Sequence, residues 1–230
     1  MVWNGLRTKA EEGRKQRFYM IQNNRNYQKE MEEIVEGLGG QRKSLLLHSC
    51  CAPCSSAVLE KLQEIFEITV FYYNPNISEI LEYRKRVEEQ KRLIEAFNQK
   101  KPSCLIKIID GDYEPQEFYK IAKGLETCPE GGERCFKCYA LRLEKTAQLA
   151  KDGDYDYFTT TLTISPLKNA GKLNEIGEEI ASKYETTFLP SDFKKKEGYK
   201  RSIELSKEYD LYRQNFCGCA FSKAESLQRR

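Results

Sequence analysis

Short apolar runs alternate with longer amphipathic segments along most of this 230-residue chain. The segments between the runs, such as residues 80–97 and 173–183, carry apolar residues at helical spacing. Strands that alternate with helices form βαβ units, whose parallel strands share one sheet covered on both faces. The pattern predicts an α/β fold with an open, doubly wound parallel sheet. The predicted strands cover residues 43–48, 67–73, 104–109, 157–162 and 186–189.

The residues before the first predicted strand differ in character from those that follow. Residues 1–42 are polar and end at Gly39-Gly40, a pair that breaks helices. We therefore expect a polar helical extension over residues 1–42 and a single α/β catalytic domain over residues 43–230. No run of 18 apolar residues occurs, which predicts no membrane span. We also expect no signal peptide and a cytoplasmic protein.

Eight of the nine cysteines lie in three clusters, and only Cys104, in the third predicted strand, stands alone. Structural cysteines behave as small apolar residues and are scattered among core positions. Clusters at turn-like sequence instead indicate a metal or redox site, and the odd total argues against a fully paired disulfide framework. The clusters are residues 50, 51 and 54, residues 128, 135 and 138, and residues 217 and 219.

The first cluster lies where the first predicted strand turns into the first predicted helix. Open α/β sheets bind ligands at this edge, the carboxyl ends of the strands. A helix begins near Pro53, and its partial positive charge favours the thiolate form that ligates metals. Cys50 and Cys51 are therefore predicted metal ligands. Cys54 is either a ligand or a packing residue, and His48, the only histidine, is left unassigned.

Cys135 and Cys138 have the two-residue spacing with which thiolates bind a single metal centre. Together with Cys50 and Cys51 they make four thiolates, enough for zinc or for a 4Fe–4S cluster. The predicted ligands come from two distant loops above the sheet, which favours an active centre over a structural zinc. Cys128, in the preceding loop, has no assigned role.

Cys217 and Cys219 are separated by one glycine. Two thiols this close can form a disulfide whose small ring is strained, and strained disulfides have high reduction potentials. We interpret the pair as a reversible two-electron store, and two idle thiols remain the alternative.

Several motifs together resemble the epoxyqueuosine reductase QueH family, from about residue 26 to residue 222. The resemblance implies an adenine-nucleotide-hydrolase-like, Rossmann-like fold and a 4Fe–4S cluster. It implies reduction of epoxyqueuosine to queuosine at the wobble position of tRNA, with electrons from an external donor. It also implies cluster ligands at Cys50, Cys51, Cys135 and Cys138, and a redox-active pair at Cys217 and Cys219. The motifs are residues 48–54, 72–77, 135–139 with 142–143, 159–162 with 165–166, and 212–219.

Asp110 and Asp112 follow the third predicted strand at the same edge of the sheet. With Cys54 they are candidates for a second, mononuclear metal ion such as iron, and Asp112 is a candidate proton donor. Carboxylates in such turns often serve only to form the turn.

A basic run near the C-terminal third predicts a surface for tRNA phosphates, formed by Lys194, Lys195, Lys196 and Arg201. The alternative for these side chains is an ordinary solvated surface. Residues 72 and 73, both tyrosines, are candidates for stacking on the modified base, with a place in the strand core as the alternative. Two other functions stay open: a zinc-stabilised RNA-binding module, and a sulfur-inserting tRNA-modifying enzyme on the same fold.

Overall fold

The sheet is parallel throughout and has four strands in the order β3-β2-β1-β4. These strands belong to a computed structural model that describes residues 25–228. The central strand β1 pairs with β2 on one side and with β4 on the other. The predicted parallel sheet is thus confirmed. The strands are β1 (Lys43–His48), β2 (Phe66–Tyr72), β3 (Lys107–Asp110) and β4 (Tyr157–Thr160).

Helices cover both faces of the sheet. Helices α1, α2, α3 and α7 contribute to the core on one face, and α5 and α6 contribute to the core on the other. The helices are α1 (Tyr27–Gly37), α2 (Ala52–Leu62), α3 (Ile80–Lys100), α4 (Pro115–Ala122), α5 (Glu133–Asp152), α6 (Ala170–Tyr184), α7 (Gly198–Glu208) and α8 (Ala220–Gln228).

Strand β1 supplies both cores. Leu45 and Leu47 pack in the first core, whereas Leu46 packs in the second. Successive strand side chains point to opposite faces, so a continuous apolar run is what a doubly covered strand requires. All three leucines are fully buried.

Helix α1 lies within the segment predicted as an extension. Its Met31 is 1% exposed and belongs to the first core, so this helix packs on the sheet. Positive φ angles at Gly39 (57°) and Gly40 (82°) end the helix region as expected. Residues 1–24, which include most of the predicted extension, lie outside the described residues, and its division from the catalytic domain stays a prediction.

Three strand predictions were wrong in detail, and the first is the fourth strand, predicted over residues 157–162, which ends at Thr160 because a 3-10 helix begins at Thr161. Residues 186–189 form only one isolated bridge, between Phe188 and Phe158. The pairing stops because the Leu189 carbonyl accepts a hydrogen bond from Thr159 Oγ1 at 2.8 Å instead of from a strand amide. Cys104 lies in a turn before β3. The strand begins later than predicted because the Asn98 side chain donates a hydrogen bond to the Ile106 carbonyl and accepts one from the Ile106 amide.

The edge at the carboxyl ends of the strands is where the chain turns sharply. After β4, a short 3-10 helix (Thr161–Ile164) begins, and Thr160 Oγ1 accepts a hydrogen bond from the Leu162 amide at 3.1 Å. The cysteine loop that follows β1 lies beside this turn, since the Cys50 amide donates to Thr161 Oγ1 at 3.2 Å. Across residues 25–228, no helix combines the length and the apolar character that a bilayer span requires.

Candidate metal centre and substrate cavity

Three thiols meet in the loop between β1 and α2. The sulfur atoms of Cys50, Cys51 and Cys54 all lie within 4.8 Å of one another. Cys51 is the last extended residue before the helix, and Pro53 occupies the first helical turn, where no amide is needed. This turn lets adjacent cysteines converge, which a regular strand would prevent.

The spacing of the three thiols suits a metal. The Sγ atoms of Cys50 and Cys51 are 3.9 Å apart. Thiolates around one tetrahedral metal lie about 3.8 Å apart when each metal–sulfur bond is about 2.3 Å. Hydrogen bonding from Cys51 lowers the pKa of the Cys50 thiol well below its ordinary value and raises that of Cys51 to about 11. The spacing of Cys50, Cys51 and Cys54 therefore suits thiolate-bound metal.

Cys135 and Cys138 lie in the first two turns of α5, and not in a loop as predicted. A helix brings residues three apart to one face, so both thiols still point the same way. The Gly131 amide donates to Cys135 Sγ at 3.3 Å, and burial raises the pKa of the Cys138 thiol to about 11. Both thiols line a small pocket together with Cys217 and Cys219.

The C-terminal pair occupies a loop held by backbone and side-chain contacts. Gly218 has a φ of 121°, and its carbonyl accepts a hydrogen bond from the Ser78 amide at 3.1 Å. The buried Arg86 donates from Nη1 to the Cys217 carbonyl at 3.1 Å. Hydrogen bonding from Cys219 lowers the pKa of the Cys217 thiol and raises that of Cys219. Both cysteines are free thiols here, so the redox role stays a prediction.

Arg142 connects the two cysteine groups. It is 1% exposed, and it lines both the pocket of Cys138 and the cavity of Cys50. Its guanidinium donates to Asn74 Oδ1, a neutral group. Burial disfavours its charge, but its interactions with Cys138, Cys50 and Cys217 raise its pKa, and the lowered pKa values of Cys50 and Cys217 make these two the thiolates. A buried cation requires nearby negative charge, and here thiolate sulfur provides it.

His48 supports this arginine. Burial lowers the pKa of His48 to about 3, and the charge of Arg142 acts in the same direction. The ring is therefore neutral at physiological pH. Arg142 Nε donates to His48 Nε2 at 3.3 Å, and His48 Nδ1 lies 2.8 Å from Thr160 Oγ1. We assign to His48, unassigned from the sequence, a place as a neutral partner of Arg142.

A cavity of about 270 Å³ opens beside the cysteine trio. It adjoins the smaller cysteine pocket, because Arg142, Lys168 and Cys217 line both. The negative charge of Cys217 keeps the ammonium of Lys168 protonated against the effect of burial, which alone would lower its pKa. The rest of the lining includes the loop at residues 165–168 and the segment at residues 213–217. The cavity therefore joins a thiol-rich base to a cationic wall.

The two aspartates named as candidates lie elsewhere on the strand edge. Asp110 forms an ion pair with Lys91 at 2.7 Å and is exposed. Neither Asp110 nor Asp112 lines the cavity or the small pocket. The group of thiols around Cys54 contains no aspartate among the described residues. Roles for these aspartates in proton donation or metal binding stay predictions.

The basic run predicted to bind phosphates has acidic or polar partners. Lys194 pairs with Asp192 at 2.8 Å, and Lys196 pairs with Glu32 at 2.6 Å. Arg201 pairs with Glu60 at 2.7 Å, and Lys195 donates to Asn26 at 3.3 Å. These ion pairs reduce the positive charge that the run offers to an RNA. Its role in RNA binding stays a prediction.

Neither tyrosine at the end of β2 is available for stacking on a base, so that prediction was wrong. Tyr72 is 0% exposed and packs against Tyr83 in a separate apolar cluster. Tyr73 is 1% exposed and stacks parallel to Phe71 with ring centres 5.8 Å apart. The alternative, a place in the strand core, holds for both.

Three cationic residues were not assigned roles from the sequence. Arg142 carries a usable signal, because it lies four residues after Cys138 and so shares its helix face. Arg213 lies within the motif at residues 212–219, but Lys168 lies in no motif; only the tertiary fold brings these two irregular segments to the cavity.

A protein-family model described as "Epoxyqueuosine reductase QueH" matches residues 45–225, which include all the clustered cysteines. The chain belongs to the QueH family. The family predicted from the motifs is thereby confirmed, and a name that describes a reductase favours neither the zinc-stabilised module nor the sulfur-inserting enzyme.

Individual QueH proteins are similar over most of this chain. The epoxyqueuosine reductase QueH of Staphylococcus epidermidis is 44% identical over 201 residues, which cover 86% of this chain and 84% of that protein. The protein of the same name from Streptococcus pyogenes is 42% identical, covering 86% and 78%. That of Thermotoga maritima is 35% identical, covering 81% and 93%. Family membership thus rests on nearly the full length of the fold.

Proposed function

We propose that this chain reduces epoxyqueuosine to queuosine at the wobble position of tRNA, in the cytoplasm. The observation that carries the proposal is a trio of converging thiols at the base of a cavity, beside a second group of four cysteines. Family membership supplies the reaction type and the modified base. Nine free cysteines support a reducing compartment.

The thiols present suit an iron–sulfur centre. We propose that Cys50, Cys51, Cys135 and Cys138 hold a 4Fe–4S cluster, and that Cys54 provides a ligand for a second, mononuclear iron. Such a centre supplies single electrons and a Lewis acid that polarises an oxygen atom. The cations Arg142 and Lys168 balance the negative charge of these thiolates.

The reaction balances with the C-terminal pair as a reductant. Conversion of an epoxide to an alkene consumes two electrons and two protons and releases one water. Oxidation of the Cys217 and Cys219 thiols to a disulfide releases two electrons and two protons. An external electron donor of low reduction potential, either a protein or a small molecule, then reduces the disulfide back to the dithiol. The loop held by Arg86 keeps both thiols beside the pocket of Cys138.

The test uses anaerobically purified full-length protein. We expect iron with acid-labile sulfide, and we expect the loaded protein with a strong reductant to convert epoxyqueuosine in tRNA to queuosine, detected by nucleoside analysis after digestion. Cys51→Ala and Cys135→Ala lose iron, whereas Cys217→Ser keeps iron but loses turnover.

Two results would overturn the proposal. Full iron and sulfide in Cys51→Ala and Cys135→Ala would remove the ligand assignment. Zinc in place of iron, with no conversion of the base, would favour the RNA-binding module instead. Cys104→Ser is the matched control, because this cysteine lies in a turn outside both cavities.

A further inference from the structure

The cavity beside the thiol trio is lined by three cationic side chains. Of its 19 described lining residues, Arg142, Lys168 and Arg213 are cations and Glu130 is the one carboxylate. A cationic concave surface attracts anions, and water-excluding walls strengthen that attraction. Arg142 and Lys168 lie beside Cys50 and Cys217, whose thiolates balance their charge, so Arg213 is the lining cation that remains to attract an anionic ligand.

Arg213 is the exposed member of this set. Its Nη1 donates to Ser206 Oγ at 2.9 Å and to the Ser202 carbonyl at 3.3 Å, both on helix α7. Within residues 25–228 it forms no ion pair with a carboxylate, unlike Lys196 and Arg201. Because neutral partners hold only Nη1 of this guanidinium, its charge and its other N–H donors remain available to a phosphate.

An aromatic side chain accompanies this arginine at the cavity. Tyr199, in the first turn of α7, lines the same cavity and is 37% exposed. Its carbonyl accepts a hydrogen bond from Ser202 Oγ at 2.6 Å, so it lies one helical turn from the anchor of Arg213. A phosphate-binding cation next to an exposed aromatic face is the combination that binds single-stranded RNA.

The size of the cavity limits what enters it. At about 270 Å³ it is slightly smaller than the typical small-molecule site, so it admits one base and not an oligonucleotide. Bases of single-stranded loops can leave their stack at low cost.

We propose that the rim formed by Arg213 and Tyr199 binds the single-stranded anticodon loop, with Arg213 on a backbone phosphate and Tyr199 stacked on a flanking base. This inference rests on the proposed function, and it places the RNA at the cavity instead of at residues 194–201. Lys168 also lines the small cysteine pocket, so we place it beside the thiols and not on the RNA backbone.

The experiment measures binding without turnover. Iron-loaded full-length protein is titrated into a fluorescent synthetic anticodon stem–loop with guanine at the wobble position, at several salt concentrations. Loss of one single-strand phosphate contact makes the negative slope of log K against log salt less steep by about 0.7. The corresponding loss of affinity at 0.15 M salt is about fourfold. We expect this change for Arg213→Gln, and we expect Arg213→Lys to restore the slope.

Matched variants separate the two surfaces. Arg201→Gln, on helix α7 with Tyr199 but paired with Glu60, should leave affinity and slope unchanged. Tyr199→Ala should weaken binding at least fivefold, whereas Tyr199→Phe keeps the affinity because stacking needs only the ring. Iron content and circular dichroism verify that each variant is folded.

The outcomes distinguish this inference from the proposed function. An unchanged slope in Arg213→Gln, or a larger loss in Arg201→Gln, overturns the docking site even if the parent protein reduces epoxyqueuosine. Binding that depends on Arg213 in a protein without reductase activity supports the docking site and overturns the proposed function.

Discussion

Substitution of Gly218 by alanine should destabilise the protein by about 3 kcal/mol. A φ of 121° costs a residue with a side chain about 1–3 kcal/mol. A Cβ atom there would lie 2.9 Å from Ile77 Cγ1 and 3.2 Å from Arg86 Nη1. Crowding of this kind in a packed region costs a further 1–3 kcal/mol or so, and the flexible end of Ile77 relieves part of it.

Urea unfolding of the anaerobically purified protein, followed by circular dichroism, measures this loss. Gly124→Ala is the control, because Gly124 also has a positive φ, 79°, but no heavy atom within 4 Å of the added Cβ. We expect the control to lose about 1 kcal/mol, the backbone cost alone. Equal losses in the two variants would refute the argument that close packing holds the loop of Cys217 and Cys219. In the proposed mechanism, Gly218→Ala also retains iron but turns over more slowly.

Three further predictions follow from particular contacts. Arg142→Met removes the buried cation beside the thiolates, so the midpoint potential of the bound iron centre should fall by about 59 mV, which is a tenfold change in a one-electron equilibrium. The control Lys145→Met, at an exposed position, should leave this potential unchanged. Cys54→Ser should lower the iron-to-protein ratio while Cys104→Ser does not, and equal ratios would remove Cys54 from the metal site. Asn169→Ala deletes the helix cap whose Oδ1 accepts a hydrogen bond from the Lys172 amide at 3.0 Å. The free energy of unfolding should therefore drop by about 1 kcal/mol, with the iron content unchanged. Loss of iron would show that the cap also shapes the cavity.

Much of the fold follows from patterns that are local in the chain. The apolar run at residues 43–48 corresponds to β1 at both ends, and alternation within it assigns its leucines to two cores. The turn after that run places Cys50 and Cys51 at the carboxyl edge of the sheet, as predicted. Helix periodicity gave α3 and α6 correctly to within a few residues.

Pairing between distant segments was beyond the reach of such patterns. Residues 186–189 have the composition of a strand, but a side-chain hydroxyl of Thr159 takes the carbonyl that a longer ladder would need. Residues 194–201 have the charge of a phosphate-binding surface, but Glu32 and Glu60 from other helices neutralise part of it. Each outcome depends on a partner that is remote in sequence.

The sequence by itself determined the fold class, the family and the edge of the sheet where the chemistry lies, because periodicity and motif spacing are carried by neighbouring residues. The tertiary structure alone decided that Cys54 joins Cys50 and Cys51, that Arg142 is buried among thiolates, and that Arg213 reaches the cavity rim. Burial and charge compensation depend on which remote groups pack together, and packing of this kind leaves no periodic signal in the chain.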